Sequence, residues 1–107
     1  MRRYKLVALT NPVEGRETEY NAWYDQFHLP ETCQVPGVIS GQRFKRVGTP
    51  KENGDSPRYE YLVEYEVESD DPQATLELLA QHIQSGRIGR NYDLMQKVSW
   101  TAMFEYL

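Results

Sequence analysis

The segment from Arg58 to Glu68 constrains the fold more than any other part of the sequence. It alternates aromatic and aliphatic residues with glutamates, and only Leu62 breaks the alternation. The apolar set is Tyr59, Tyr61, Val63, Tyr65 and Val67, and the acidic set is Glu60, Glu64, Glu66 and Glu68. Because successive side chains of a strand point to opposite faces, this pattern predicts a β-strand with one apolar face and one charged face.

Three other segments also have the character of strands. Arg2–Thr10 has apolar residues on both faces, which indicates that both faces are covered. Val38–Val47 is joined to the alternating strand by the polar residues of Thr49–Pro57, and this arrangement predicts a hairpin. Lys97–Tyr106 alternates again. We expect its larger apolar set to face the helices: Val98, Trp100, Ala102, Phe104 and Tyr106.

A first helix is predicted from Arg16 to Leu29. Four of its aromatic residues recur at the spacing of one helical face: Tyr20, Trp23, Tyr24 and Phe27. That spacing is typical of an amphipathic helix packed on a core. Pro30 disfavours helical geometry at Leu29, so we expect the helix to bend, end or restart there.

A second helix is predicted to begin with Asp71 as its N-cap and Pro72 at its first helical position. Gly86 ends it, and its inner face is formed by Leu76, Leu79 and Ile83. Residues 87–96 are expected to be irregular or to form a short helical turn.

The elements follow one another as βαββαβ over residues 1–107, without a linker or repeat, so a single domain is predicted. Two crossover helices on one face of a four-stranded antiparallel sheet define the α+β ferredoxin-like fold. We expect a second subunit to cover the other face, whose apolar residues are Val7, Leu9, Leu62 and Met103. On the same face, pairing with Arg43 and Lys45 is expected for Glu60, Glu64 and Glu66.

Composition and charge narrow the function classes. The chain carries 12 basic and 16 acidic residues, and a net charge of −4 is a poor match for nucleic acid. No run approaches the ~20 apolar residues of a membrane span, and no apolar segment follows the basic N-terminus as in a secretory signal. Cys33 is the only cysteine, so no intrachain disulfide is expected, and a cytoplasmic location is the simplest expectation.

The sequence carries no signature of a bound cofactor. His28, His82 and Cys33 lack the spacing of metal ligands. There is no glycine-rich phosphate loop and no dinucleotide-binding motif. We therefore expect neither a metal nor an organic cofactor.

Five short motifs stand out in the first half of the chain: ALTNPVEG at 8–15, EYNAWYD at 19–25, HLP at 28–30, VPGV at 35–38 and RF at 43–44. Together they resemble the EthD-like group of the dimeric α/β-barrel superfamily. The resemblance implies a homodimer of ferredoxin-like subunits whose helices lie outside a shared barrel.

The same resemblance implies a range of activities. Relatives include cofactor-independent monooxygenases, polyketide cyclases, muconolactone isomerases and haem-degrading enzymes, and they often use a single histidine in a cavity between sheet and helices or at the barrel mouth. Haem-degrading relatives take an Asn, a Trp and a His from separate elements. Here Asn21, Trp23 and His28 share one helix, which departs from that arrangement.

His28 is the strongest candidate for a catalytic residue. It is predicted at the edge of the aromatic face and near a helix C-terminus, where the helix dipole favours the protonated imidazole. Asp25, three residues earlier, is close enough on a helix to orient that imidazole. The alternative is a structural histidine that binds a backbone carbonyl at the helix end.

Further residues are candidates for binding a substrate. Tyr24 and Tyr20 can donate hydrogen bonds to a substrate oxygen, and Asn21 can anchor a carbonyl. Packing or solvent exposure is the alternative for each of them. The remaining candidates are Trp23, Phe27, Arg43, Tyr61, Tyr65, His82, Tyr92 and Trp100.

These features favour a cofactor-independent enzyme of the lyase, isomerase or cyclase kind that acts on a small aromatic or polyketide-like molecule. In this hypothesis His28 transfers a proton, Tyr24 and Asn21 stabilise a developing oxyanion, and Asp25 orients the imidazole. A non-catalytic small-molecule-binding protein is the second hypothesis. A cofactor-independent or haem-degrading monooxygenase is the third.

Overall fold

The computed structural model describes residues 1–48 and 58–107. In chain order the elements are β1 (Arg2–Thr10), α1 (Glu17–Trp23), a π-helical turn (Tyr24–His28), α2 (Leu29–Thr32), β2 (Val38–Lys45), β3 (Tyr61–Ser69), α3 (Pro72–Gln84) and β4 (Trp100–Glu105). The strands form one antiparallel sheet in the order β2-β3-β1-β4. This confirms the predicted ferredoxin-like arrangement. The predicted turn at Thr49–Pro57 lies outside the described residues.

The alternating strand β3 buries the set of residues that the sequence predicts. Its apolar residues lie on the side of the sheet that the helices cover, and each is at most 7% exposed: Tyr61, Val63, Tyr65 and Val67. On the neighbouring strand β1, Tyr4 and Leu6 pair with Val67 and Tyr65 and complete this buried surface. The core is therefore one layer thick, between a single face of the sheet and the helices.

The first helix runs without a break from Glu17 to Thr32 and contains the π-helical turn. The N–H of Leu29 donates to the carbonyl of Tyr24, as in a π turn. Such a turn holds one more residue than an α turn and so rotates the side chains that follow it. His28 therefore packs on Tyr24, with ring centroids 4.7 Å apart, whereas Phe27 is 53% exposed. The prediction that Phe27 belongs to the buried face is wrong for this reason.

The helix passes through Pro30 instead of ending there. Proline has no N–H, and in an α-helix its ring crowds the carbonyl four residues earlier. The wider π-helical turn comes immediately before Pro30 and accommodates both effects, so the helix continues to Thr32. The hydroxyl of Thr32 donates to the carbonyl of His28 at 2.9 Å and closes the last turn.

The ends of α3 agree with the prediction. The Asp71 carboxylate accepts a hydrogen bond from the N–H of Ala74 at 3.2 Å, and Pro72 is the first helical residue. Gly86 follows the helix with a φ of 81°, in the left-handed region that favours glycine.

In the part of the chain that the structure describes, no helix has the length and apolar character needed to cross a membrane.

The two sets of alternating side chains on β4 lie on the opposite sides of the sheet from those predicted. Met103 pairs with Leu6 and shares the helix side of the sheet, whereas Trp100 pairs with Leu9 on the other side. The predictions that Trp100 faces the helices and that Met103 lies on the uncovered side are both wrong. The period of the alternation is as expected, but a change of phase by one residue moves every side chain to the opposite face.

The sheet surface away from the helices, here called the open face, is consequently more apolar than predicted. Phe44, Trp100 and Phe104 lie on it and are 48%, 42% and 52% exposed. The rings of Trp100 and Phe104 are 6.3 Å apart and form one continuous aromatic patch. Val7, Leu9 and Leu62 lie on the same face beside this patch.

The glutamates of the open face have different partners from those predicted. Lys5 Nζ lies 3.2 Å from Glu64 Oε2 and 3.1 Å from Glu66 Oε1. The side chain of Glu60 lies 3.5 Å from that of Arg58. The expected partners, Arg43 and Lys45, lie instead on the helix side, because the register of β2 aligns them with the buried residues Val63 and Tyr61.

Candidate functional site

A cavity of about 290 Å³ lies between the helix side of the sheet, the first helix, α3 and residues 88–101. Ligand sites for small molecules span roughly 300–1,000 Å³, so the volume suits one small molecule. The predicted inner face of α3 provides apolar wall, through Leu76, Leu79 and Ile83. Four of the site residues predicted from the sequence border the cavity together: Tyr24, His28, Tyr65 and Tyr92.

His28 is held in the cavity wall by one backbone contact. Its Nδ1 lies 2.7 Å from the carbonyl oxygen of Gly89. A carbonyl only accepts hydrogen bonds, so Nδ1 carries the proton and the neutral ring leaves Nε2 as the basic nitrogen. In the described part of the chain, Nε2 has no hydrogen-bond partner. The contact fixes the ring in the tautomer that a general base needs.

Burial lowers the pKa of His28 below its ordinary value of 6.5, although the hydrogen bond to Gly89 opposes that shift. The imidazole is therefore neutral at pH 7. The prediction that the helix dipole favours the protonated form is wrong, because the helix continues beyond His28 to Thr32 and because loss of solvent outweighs the dipole.

Asp25 does not orient His28 as predicted. The π-helical turn places the two side chains on different sides of the helix, and Asp25 Oδ1 instead accepts a hydrogen bond from Arg43 Nη1 at 3.0 Å. The Asp25 side chain is 63% exposed. The backbone carbonyl of Gly89 therefore performs the orienting role that the sequence assigns to Asp25.

Two buried tyrosines line the cavity with His28. Burial raises the pKa of Tyr24 well above 10 and that of Tyr65 to about 12, so both hydroxyls carry their protons at neutral pH. The Tyr65 hydroxyl is buried and makes no well-aligned hydrogen bond among residues 1–48 and 58–107, although the side chains of Thr32 and Tyr24 lie close enough to act on its pKa. A Cβ at Gly41 would lie 2.8 Å from the Tyr65 ring, so glycine at that position gives the ring its space. A buried hydroxyl without a well-aligned partner is rare, and the oxygen of a ligand can supply one.

Four other predicted site residues form a structural network behind Tyr24 and do not border the cavity. Arg43 Nη2 donates to Asn21 Oδ1 at 2.8 Å, and Asn21 Nδ2 donates to the Tyr61 hydroxyl at 3.1 Å. The Tyr61 hydroxyl itself donates to Glu17, and the Tyr20 hydroxyl pairs with that of Thr10. Both ends of the Asn21 amide are thus occupied, so it is not available to stabilise a substrate oxygen.

Arg43 has a packing role in the same network. Its guanidinium carbon lies 4.5 Å from the ring centroid of Tyr24, 5.3 Å from that of Tyr20 and 5.1 Å from that of Tyr61. The side chain is 12% exposed. Cation–π contact with three rings holds Arg43 against the first helix. The arginine therefore positions Tyr24 and is not placed to bind a substrate carboxylate.

The other predicted site residues lie outside the cavity lining. The Trp23 ring packs 4.9 Å from that of His28 and supports it from behind. Phe27 is exposed on the far side of the helix, and Trp100 is on the open face. His82 is buried on α3, and its Nδ1 has no hydrogen-bond partner in the described ranges.

Sequence reasoning missed Gly89 and Glu31, which support His28, and the cations Arg90 and Lys97 of the cavity lining. Gly89 accepts the imidazole proton through its main chain, and Glu31 in turn binds the N–H of Gly89 at 2.9 Å. Arg90 and Lys97 line the cavity beside Tyr92. Glu31 directly follows the HLP motif, but no sequence signal connects either pair to His28, because the loop that carries Gly89 is far away in the chain.

No group of three or more His, Cys, Asp and Glu side chains within the described ranges is arranged to hold a metal ion. The polar side chains that line the cavity are the His28 imidazole, the hydroxyls of tyrosine, threonine and serine residues, and the cations Arg90 and Lys97.

Comparison with known proteins places this geometry in a wider structural group. Neither family models nor curated sequences match the chain. Among solved structures, an EthD-like protein from Ralstonia eutropha JMP134 matches with a TM-score of 0.68 at 15% identity, over 98% of this chain and 92% of that one. A point mutant of SnoaB, a cofactor-independent oxygenase from Streptomyces nogalater, matches with a TM-score of 0.62 at 13% identity, over 97% and 92%.

A dimeric ferredoxin-like protein from Thermobifida fusca YX matches with a TM-score of 0.54 at 11% identity, over 98% of this chain and 92% of that one. Identities this low establish a shared fold and do not transfer a reaction. The predicted resemblance to EthD-like proteins is confirmed at the level of the ferredoxin-like fold.

Proposed function

We propose that this chain is a cofactor-independent enzyme that moves a proton on a small aromatic molecule, with His28 as the general base. The observation that carries the proposal is the His28–Gly89 contact, which holds the proton on Nδ1 and leaves Nε2 free in the wall of a cavity. The lowered pKa of His28 keeps that nitrogen unprotonated at neutral pH.

The two tyrosines give this base a matching acid partner. When Nε2 removes a proton from a carbon next to a carbonyl, the electron pair of the C–H bond moves onto the carbonyl oxygen and forms an enolate. The protonated hydroxyls of Tyr24 and Tyr65 are donors for that oxygen. Return of the proton from the imidazolium to a different carbon completes an isomerisation with atoms and charge balanced. The same enolate can start a cyclisation or an elimination.

Oxygenation is the second candidate, and the likeness to SnoaB favours it. In that case molecular oxygen attacks the carbanion carbon after His28 has removed its proton. Consumption of oxygen distinguishes the two outcomes, since an isomerase, lyase or cyclase works equally well without air. Haem degradation is not proposed, because Asn21 and Trp23 lie outside the cavity lining.

Deuterium exchange tests the proton transfer without knowledge of the natural substrate. The probe is 2-tetralone, a bicyclic aromatic ketone with an acidic C–H group, in deuterated buffer near neutral pH with exchange followed by NMR. We expect the protein to accelerate exchange and His28→Gln to lose at least about 100-fold of that acceleration. His82→Gln is the matched control, because His82 is a buried histidine outside the cavity lining.

An acceleration that survives intact in folded His28→Gln overturns the proposal. Saturable binding of 2-tetralone without any exchange above background would instead favour the hypothesis of a non-catalytic binding protein.

We further propose that the chain forms a homodimer through the open face. Aromatic residues that are about half exposed lie there in a continuous patch, and such area is rare on a small monomer. The ion pairs of Lys5 with Glu64 and Glu66 satisfy the charged residues of the same face. Two sheets stacked on these faces leave both cavities on the outer sides, under the helices.

A further inference from the structure

The outer end of the cavity carries two cations and a tyrosine, here called the cationic rim (Arg90, Tyr92 and Lys97). Arg90 Nη1 donates to the Tyr92 hydroxyl at 3.0 Å, and Lys97 Nζ lies 5.6 Å from the Tyr92 ring centroid. The Tyr92 oxygen accepts from Arg90, so its own O–H remains free to donate. Three groups that bind negative charge therefore meet at one edge of the cavity.

These cations have no acidic partner in the described part of the chain. No Asp or Glu is among the described residues that line the cavity, and neither Arg90 nor Lys97 forms an ion pair there. Other cations on the helix side are neutralised: Arg16, Arg43 and Lys45 each have a carboxylate oxygen within 3.2 Å. In a chain with net charge −4, unneutralised cations at a cavity mouth attract anions selectively.

The inner end of the cavity contains a buried hydroxyl, that of Tyr65, instead of charged groups. Tyr65 is only 2% exposed, and its hydroxyl has no well-aligned hydrogen-bond partner among the described residues, although the side chains of Thr32 and Tyr24 lie near it. An oxygen atom of a ligand would satisfy it. Leu79, Ile83 and Met95 also line the cavity and provide apolar contact for a flat ring system.

We propose that the substrate is an aromatic or polyketide-like carboxylic acid, whose carboxylate binds the cationic rim and whose carbonyl or hydroxyl oxygen reaches Tyr65. This inference rests on the proposed function for its chemistry and adds the substrate class. The carboxylate contributes to binding and takes no part in the reaction. It fixes the ring system so that the acidic C–H or O–H group lies at His28.

Matched ligands test the charge requirement directly. The probe is 6-hydroxy-2-naphthoate, with a carboxylate and a hydroxyl at opposite ends of a flat bicyclic ring. Its neutral counterpart is 6-hydroxy-2-naphthamide, and 2-naphthoate lacks the hydroxyl. Affinities are measured by calorimetry at pH 7.5. We expect the acid to bind at least about tenfold more tightly than the amide, and added salt to reduce this difference.

Variants then assign the preference to residues. Arg90→Gln and Lys97→Gln should each lower affinity for the acid about tenfold and leave affinity for the amide unchanged. Arg87→Gln is the matched control, since Arg87 is exposed on the same loop and does not border the cavity. Tyr65→Phe should abolish the advantage of 6-hydroxy-2-naphthoate over 2-naphthoate.

Equal affinity for acid and amide overturns the inference, as does the absence of binding for both at millimolar concentration. Equal losses for acid and amide in Arg90→Gln and Lys97→Gln overturn it too, because they indicate a structural role. His28→Gln separates this inference from the proposed function. If that variant keeps the acid preference while the wild type shows no deuterium exchange, the carboxylate site stands and the catalytic role of His28 fails. If the wild type accelerates deuterium exchange but binds acid and amide equally, the catalytic role of His28 stands and the carboxylate site fails.

Discussion

Glu31 holds the backbone of Gly89: its Oε1 accepts a hydrogen bond from the Gly89 N–H at 2.9 Å. The carbonyl of the same glycine accepts the Nδ1 proton of His28 at 2.7 Å. A Cβ at Gly89 would lie 3.4 Å from Glu31 Oε1, in ordinary van der Waals contact, so the two residues are direct neighbours. Glu31 therefore positions the loop that carries Gly89, and the carbonyl of Gly89 in turn orients the imidazole of His28.

This relationship predicts that Glu31 is a positioning residue. Glu31→Ala frees the loop, and we expect the rate of exchange to fall roughly 10- to 100-fold because His28 loses its fixed orientation. Glu31→Gln should restore most of the rate, since its amide oxygen still accepts from Gly89. The negative charge of Glu31 raises the pKa of His28, so both variants should move the pH midpoint of activity downward. An unchanged midpoint in both variants contradicts the assignment.

A second prediction concerns the pH dependence of catalysis. The general base is the neutral imidazole, and burial lowers the pKa of His28 below 6.5. Activity should therefore lie on its plateau at pH 7.5 and fall only when pH drops through a midpoint below 6.5. A profile of kcat/KM from pH 5 to 8 measures this midpoint for the free enzyme. A midpoint above 6.5, or activity that increases as pH falls, contradicts the role of His28 as a base.

Arg43 provides a third prediction, on stability. Arg43→Lys removes the planar group that contacts three tyrosine rings and leaves Asn21 Oδ1 without its donor. We expect a loss of about 2 kcal/mol in the free energy of unfolding, measured as a lower urea midpoint with an unchanged m-value. Arg87→Lys, at an exposed position, should change the midpoint little. Equal midpoints for the two variants would show that the ring contacts contribute nothing measurable.

Local patterns in the sequence were sufficient to predict the order of elements, the buried face of β3 and the caps of α3. Each depends on a short-range signal, such as alternation in Tyr61–Ser69 or the Asp71–Pro72 pair. The phase of β4 was not predictable in the same way. Its stronger apolar set faces away from the helices, and a preference for burial within one subunit therefore selects the wrong side.

The candidate site shows a similar division. His28, Tyr24, Tyr65 and Tyr92 were identified from residue type and helical or strand position. The π-helical turn was not, because it depends on hydrogen bonds near Pro30 that have no residue signature. The partner of His28 is a main-chain carbonyl, which every residue has, so only the three-dimensional structure identifies it as Gly89.

The last prediction concerns assembly and uses two phenylalanines of nearly equal exposure. Phe104 is 52% exposed on the open face, and Phe27 is 53% exposed on the outer side of the first helix. If the open face is the dimer surface, sedimentation of the wild type at micromolar concentration gives twice the 12.5 kDa chain mass. Phe104→Glu buries a charge in the interface and should shift the protein to monomer, whereas Phe27→Glu should remain a dimer. A monomeric wild type, or dissociation by Phe27→Glu instead of Phe104→Glu, would remove the open face as the interface.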